Sequence, residues 1–250
     1  MILSVDVVFV DYKTPALANT LINSFEKHVT KDFRLRYVVV ENSDFPLRAS
    51  LETRAERVVV INNPTSRANS DAHGVGLEAS KQHVVSDYVF TSHSDICVTS
   101  ATFFDELLSC VNDGVSLAGI SEDACPGRIS ALHSSGLFMN NVLFKTTSLL
   151  PEMPRFDVAD KLTQRCRDEG LKMRLFANTY NDPDLCDKID SPFKELGKRC
   201  GVDRCVDRNN KVMIMHHGRG TPKHMGTYHN SEKLTTQQWL ELCKAYTVHG

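Results

Sequence analysis

What most narrows the folds open to this chain is an alternation that fills its first half: short, Val-rich runs separated by amphipathic helical segments. VDVVFV (5–10), RLRYVVV (34–40), RVVVIN (57–62), DYVFTS (87–92) and VSLAGI (115–120) each read as a strand. They are apolar nearly throughout, the pattern of strands covered on both faces. Between them, Thr14 is placed to cap a helix with Pro15 at its first position and Leu17, Leu21, Phe25 and Val29 on one face. A short helix is expected around 47–55 and a longer one over 70–85. Ser100 caps SATFFDELLSCVNDG, whose Phe104, Leu107, Leu108 and Val111 face inward and which Gly114 ends. Strands alternating with helices imply right-handed βαβ units, hence an α/β fold with a mostly parallel central sheet and helices on both faces.

The second half is less regular. SGLFMNNVLFK (135–145) reads as a strand or hairpin, FDVADKLTQRCRDEG (156–170) as a helix closed by Gly170, and LKMRLFA (171–177) as a strand. Residues 178–211 are polar and turn-rich, an excursion from the core. VMIMHHGRGT (212–221) is a strand feeding a His/Gly loop, and Trp239, Leu240, Cys243 and Tyr246 mark an amphipathic helix. The 250 residues fit one large domain.

Composition excludes several classes. A formal charge of −2 provides no basic field for nucleic acid. The opening MILSVDVVFVDYK lacks a basic leader segment and carries Asp6 within its apolar run, so it reads as a buried strand rather than a signal peptide. No apolar stretch approaches the roughly 20 residues that span a bilayer. The eight cysteines form no CxxC pair, which points to a reducing, cytoplasmic setting. Cys186, Cys200 and Cys205 are the one grouping open to zinc, although four-ligand zinc sites show tighter pairs.

In parallel sheets, ligands bind beyond the carboxyl ends of the strands. That rule singles out Asp11-Tyr12-Lys13, Glu41-Asn42-Ser43-Asp44, Asn62-Asn63-Pro64 and His93-Ser94-Asp95. The turn after the first strand, DYKTPA, lacks the glycines of a dinucleotide-binding loop. No P-loop and no nucleophile elbow occur either. A bound diphosphate would then need a divalent cation held by carboxylate, and Mn²⁺ or Mg²⁺ requires only one or two such groups. Asp95, at the end of DYVFTS, is placed to supply one; read locally, it equally begins a turn.

VDVVFVDYKTPALANTLINSF, YVVVENSD, NNPTSRANSDAHGVGLEAS and DYVFTSHSDICV, taken in order, resemble the nucleotide-binding half of family-2-like GT-A glycosyltransferases over roughly residues 4–120. The resemblance implies a single GT-A domain over 1–250, with a nucleotide-binding half to about 120 and an acceptor-side half from about 121. It implies transfer of a sugar, from a UDP-sugar first of all, to an acceptor hydroxyl, inverting and dependent on Mn²⁺ or Mg²⁺. The family's D-x-D metal motif falls on His93-Ser94-Asp95, with histidine in place of the first acid and Asp95 retained. Asp11, Tyr12, Glu41 and Asn42 then line the base and ribose pocket, Arg67 meets the diphosphate, and His73 opens the helix that approaches the donor.

On the acceptor side, Asp157 and Asp160 correspond to the acid before the acceptor helix. Both are candidates for the base, and Asp157 serves equally as a helix cap. In HHGRGT, either His216 or His217 is the candidate second metal ligand, since neighbours on a strand point opposite ways; Arg219 is available to phosphate and His133 to the donor sugar. The acceptor is open: protein, polysaccharide, lipid-linked sugar and modified nucleic-acid base all fit. Two alternatives stand beside transfer. A sugar nucleotidyltransferase would need the Gly/Arg-rich first loop that DYKTPA lacks, and a non-catalytic nucleotide-sugar-binding protein would suit the altered metal motif.

Overall fold

The structure, a computed structural model, describes residues 2–53, 55–200, 202–218 and 234–248, with side chains 197–200 excepted. The first half runs β1 (Leu3–Asp11), α1 (Pro15–His28), β2 (Phe33–Glu41), α2 (Leu47–Ser50), β3 (Val58–Asn62), α3 (Asn69–Ser80), β4 (Tyr88–His93), β5 (Ile96–Val98), α4 (Thr102–Asn112) and β6 (Leu117–Gly119). The second half adds β7 (Glu122–Asp123), β8 (Ala131–Leu132), β9 (Gly136–Asn140), α5 (Asn141–Thr146), α6 (Asp160–Asp168), β10 (Met173–Leu175), α7 (Phe193–Cys200), β11 (Asp203–Val206), β12 (Val212–His216) and α8 (Thr236–Cys243).

Seven strands make the central sheet in the order β10-β6-β9-β4-β1-β2-β3. The pairs β1–β2, β1–β4, β2–β3 and β10–β6 are parallel, and β9 runs antiparallel to both its neighbours. The expected mostly parallel α/β sheet is therefore present. Its register fixes the site: Asp11 lies opposite Glu41, and Val10 opposite His93, so three strand ends meet at one edge. Asp6, within the otherwise apolar β1, is fully buried, pairs with Arg36 at 2.9 Å and accepts the backbone N–H groups of Val85 and Ser86.

Packing, rather than capping, seats α1. Thr14 occupies the cap position but makes no side-chain cap bond. Instead Phe25 meets Phe90, Phe103 and Phe104 at ring distances of 5.7–6.1 Å, all four fully buried. Each such side chain contributes about 1.5–3 kcal/mol, against about 1 kcal/mol for a cap. A second core lies on the opposite face around Leu77, Leu137 and Phe144. A third joins Leu17, Cys97, Met215, Trp239 and Cys243.

Several expectations from sequence are corrected. The turn that Asp95 is open to beginning is instead strand β5 (Ile96–Val98), which leaves the main sheet to join a three-stranded sheet, β11-β12-β5. Ser100 does not cap α4, since Ala101 takes that position without a side-chain bond. Residues 135–145 are neither one strand nor a hairpin: Asn140 ends β9 and accepts from the Leu143 N–H, starting α5 at once. The helix expected over 156–170 begins only at Asp160, because Ala159 takes φ +65° and the Asp160 carboxylate accepts from the Asp157 N–H. Helix α3 stops at Ser80 and passes into a 3₁₀ turn over Lys81–His83. Among the described residues, no helix is long and apolar enough to cross a membrane.

Candidate functional site

Two groups of side chains gather beyond the carboxyl ends of the parallel strands. The first is a carboxyl pair. Asp11 accepts from both the backbone N–H and the hydroxyl of Thr14, and from the Ser94 hydroxyl. Glu41 accepts from Ser43 Oγ at 2.5 Å and from the Lys13 N–H at 3.2 Å. Both carboxyls are buried, and each acts on the other's titration. Burial raises Asp11 above the usual carboxylate range; burial and the neighbouring Asp11 push Glu41 up to about 7. Tyr12, next along the chain, is 41% exposed, with Lys13 Nζ 5.3 Å over its ring.

Asn42 is placed beside the pair, but its amide is engaged within the protein: Nδ2 donates to Ala72 O at 2.7 Å, and Oδ1 accepts from Asn63 at 2.9 Å. It thus ties β2 to α3. Gly76 permits that approach, since a Cβ there would lie 2.7 Å from Val10 and 3.1 Å from Asn42. Arg67 is exposed in the loop before α3. Arg219 lies outside the described residues.

The second group surrounds Asp95. Strand β12 runs antiparallel to β5 with His216 opposite Ile96, and the His217 N–H donates to Asp95 O at 3.0 Å. This pairing sets His216 Nε2 3.4 Å from Asp95 Oδ1, while His93 Nδ1 is 4.0 Å from the same oxygen. Among the described residues, His93, Asp95 and His216 form the one group able to offer three ligand atoms within 4.8 Å of one another. Behind it, His216 Nδ1 faces the Asp203 carboxylate at 3.8 Å, an ion-pair separation longer than a hydrogen bond. The His73 and His133 rings pack edge-on against His93 at 4.9 and 5.5 Å, and Ser134 Oγ is 3.5 Å from His93 Nε2.

Burial and the neighbouring imidazoles depress these histidines: His73 and His133 fall to about 4, and His93 falls well below its usual value. His73 and His133 are therefore neutral near pH 7. Burial works to raise Asp95, yet His216, His93 and His217 outweigh it and hold the carboxylate ionised, well below its usual range.

His217 does not join this group. It points to the other side of β12, is 1% exposed, and stacks parallel on Trp239 with rings 5.1 Å apart. The two acceptor-side acids also differ. Asp160 is fully buried, and its two oxygens are held by the Arg128 fork at 2.6 and 2.8 Å. Asp157 is about a quarter exposed, with one oxygen 3.3 Å from Arg128 Nη1, and its charge acts on both His73 and His133. Arg128 and Asp203 carry no sequence signal; what identifies them is contact across the fold. Cys205 is buried in the main core and Cys186 accepts from Arg204, so neither belongs to a ligand group among the described residues.

No family model and no curated protein matches the chain. Solved structures do. A mannosyltransferase from Pyrobaculum calidifontis, PcManGT, determined with GDP-Man and Mn²⁺, superposes with a TM-score of 0.52 at 12% identity, covering 70% of this chain and 55% of its own. S. aureus TarS gives 0.42 at 16% identity, over 60% and 30%. The chain thus spans little more than half the length of the first of these. At this identity the likeness establishes architecture: the chain shares the Rossmann-like fold of that protein, a mostly parallel sheet flanked by helices.

Proposed function

We propose that the chain transfers a sugar from a nucleotide-sugar donor to an acceptor hydroxyl, acting as a single GT-A-type domain with its donor half over about 1–120. The observation that carries this reading is the convergence of His93, Asp95 and His216 beside the strand ends that bear Asp11, Tyr12 and Glu41. A structure with the same fold was determined with GDP-Man and Mn²⁺, which supports a metal and a nucleotide sugar here.

His93, Asp95 and His216 would hold the ion; when bound, it offsets the charge of the departing diphosphate. The base and ribose rest against Tyr12 and the Glu41–Asp11 pair, with Arg67 and Arg219 available to the phosphates. Asp157 takes the acceptor proton as general base, because it is the accessible member of the acidic pair. Asp160, locked by Arg128, positions it through the Asp157 N–H. A base on the acceptor side suits an inverting, single displacement.

The test is release of nucleoside diphosphate from a panel beginning with UDP-sugars and including GDP-mannose, with Mn²⁺ and with chelator. The expected result is metal-dependent release that is lost in Asp95→Ala at unchanged melting temperature. Pyrophosphate release from a nucleoside triphosphate would instead mark nucleotidyl transfer, and binding without turnover would mark a non-catalytic protein.

A further inference from the structure

The donor set at Asp95 is chemically unlike a pair of carboxylates. Its nearest members are one carboxylate and two imidazoles, His93 and His216, with His73 and His133 packed around His93. Other nearby acids are engaged: Asp157 by Arg128 and the Val158 N–H, Asp160 by Arg128. Mg²⁺ demands oxygen ligands and sheds water reluctantly, whereas imidazole suits the borderline first-row ions. The spacing also fits. Ligand atoms about 2.1 Å from a common ion stand about 3 to 4.2 Å apart, and the two histidine–Asp95 separations are 3.4 and 4.0 Å. All three ligand atoms come from the chain itself and lie within 4.8 Å of one another, so the site is assembled without help from a phosphate.

We infer that this centre is a nitrogen-rich transition-metal site, loaded through His93, Asp95 and His216 before any nucleotide arrives, and that it rejects Mg²⁺. The affinity order follows the general series for nitrogen ligands, Mn²⁺ below Co²⁺, with Mg²⁺ weakest. The imidazole of His93, a nitrogen donor beside Asp95, is what sets the selectivity.

The inference rests on the metal centre of the proposed function, but its test reads ion binding in the full chain with no nucleotide present. Failure of sugar transfer would leave it standing, and its own failure would leave transfer open. Co²⁺ is titrated into the metal-free chain and followed by visible absorption and calorimetry, then challenged with Mg²⁺ and Mn²⁺. The expected result is one Co²⁺ per chain with a spectrum showing nitrogen ligation, unmoved by a thousandfold excess of Mg²⁺. His93→Asp should shift the Co²⁺/Mg²⁺ preference toward Mg²⁺ by at least tenfold. If that variant fails to fold, His216→Asp serves the same purpose. Displacement of Co²⁺ by equimolar Mg²⁺, no uptake without nucleotide, or an unchanged preference in a folded variant would each overturn the inference.

Discussion

His216 Nε2 stands 3.4 Å from Asp95 Oδ1, and an antiparallel pairing of two short strands puts it there. Asp95 follows a strand of the main sheet, while His216 ends β12 of a separate three-stranded sheet. The candidate centre therefore exists only when both sheets are assembled. The adjacent His217 points the opposite way, which separates two roles that the sequence runs together.

That separation is testable. His216→Ala should abolish metal uptake at a stability loss of about 1–3 kcal/mol, since its ring is buried beside Asp95. His217→Ala should retain metal uptake but lose about 1–3 kcal/mol, because it removes a buried ring stacked on Trp239. Urea unfolding together with metal titration of both variants distinguishes them.

Arg128 is 4% exposed and holds Asp160, which is fully buried. Arg128→Ala leaves that carboxylate without its partner, so a loss of about 3–5 kcal/mol is expected in denaturant unfolding. Loss of under 1 kcal/mol would mean that the pair has no such structural role.

The carboxyl pair makes a pH prediction. Glu41 titrates at about 7 in the folded chain, above its unfolded value, so the folded state binds the extra proton. For an acid raised in this way, stability is greatest below the unfolded pKa and falls as pH rises toward 7. Glu41→Gln should flatten that slope, leaving the part due to Asp11, and raise stability at pH 8 by about 1–2 kcal/mol relative to the parent. Melting temperatures across pH 4.5–8 check the sign; a steeper slope in the variant would contradict it.

Gly76→Ala places a methyl group 2.7 Å from Val10. Overpacking of this kind costs about 1–3 kcal/mol. Because Asn42 and His73 both depend on the seat of α3, donor affinity should fall as well, and calorimetry with the donor reads that second effect.

The parts that were legible in the sequence are those with long local signals. Strands β1, β2 and β4 announce themselves because both faces are covered, and Asp11, Glu41 and His93 fall at their ends through the same register. Strand β5, three residues long, has no measurable period, and its partner β12 lies far along the chain. The opposite orientation of His216 and His217 follows from strand geometry, but which of them faces Asp95 depends on that pairing. Asp157 and Asp160 looked equivalent because the pattern extends the helix back to 156. The left-handed Ala159 ends it early, and Arg128, invisible as a partner in sequence, then buries one acid and leaves the other accessible.

The most direct test of the central claim is calorimetric titration of a nucleotide sugar into the full chain, with and without Mn²⁺, in parent and Asp95→Ala proteins. Metal-dependent binding at one site, weakened at least a hundredfold in a variant with unchanged melting temperature, is the predicted result. Binding of equal strength in chelator, or in Asp95→Ala, would contradict it.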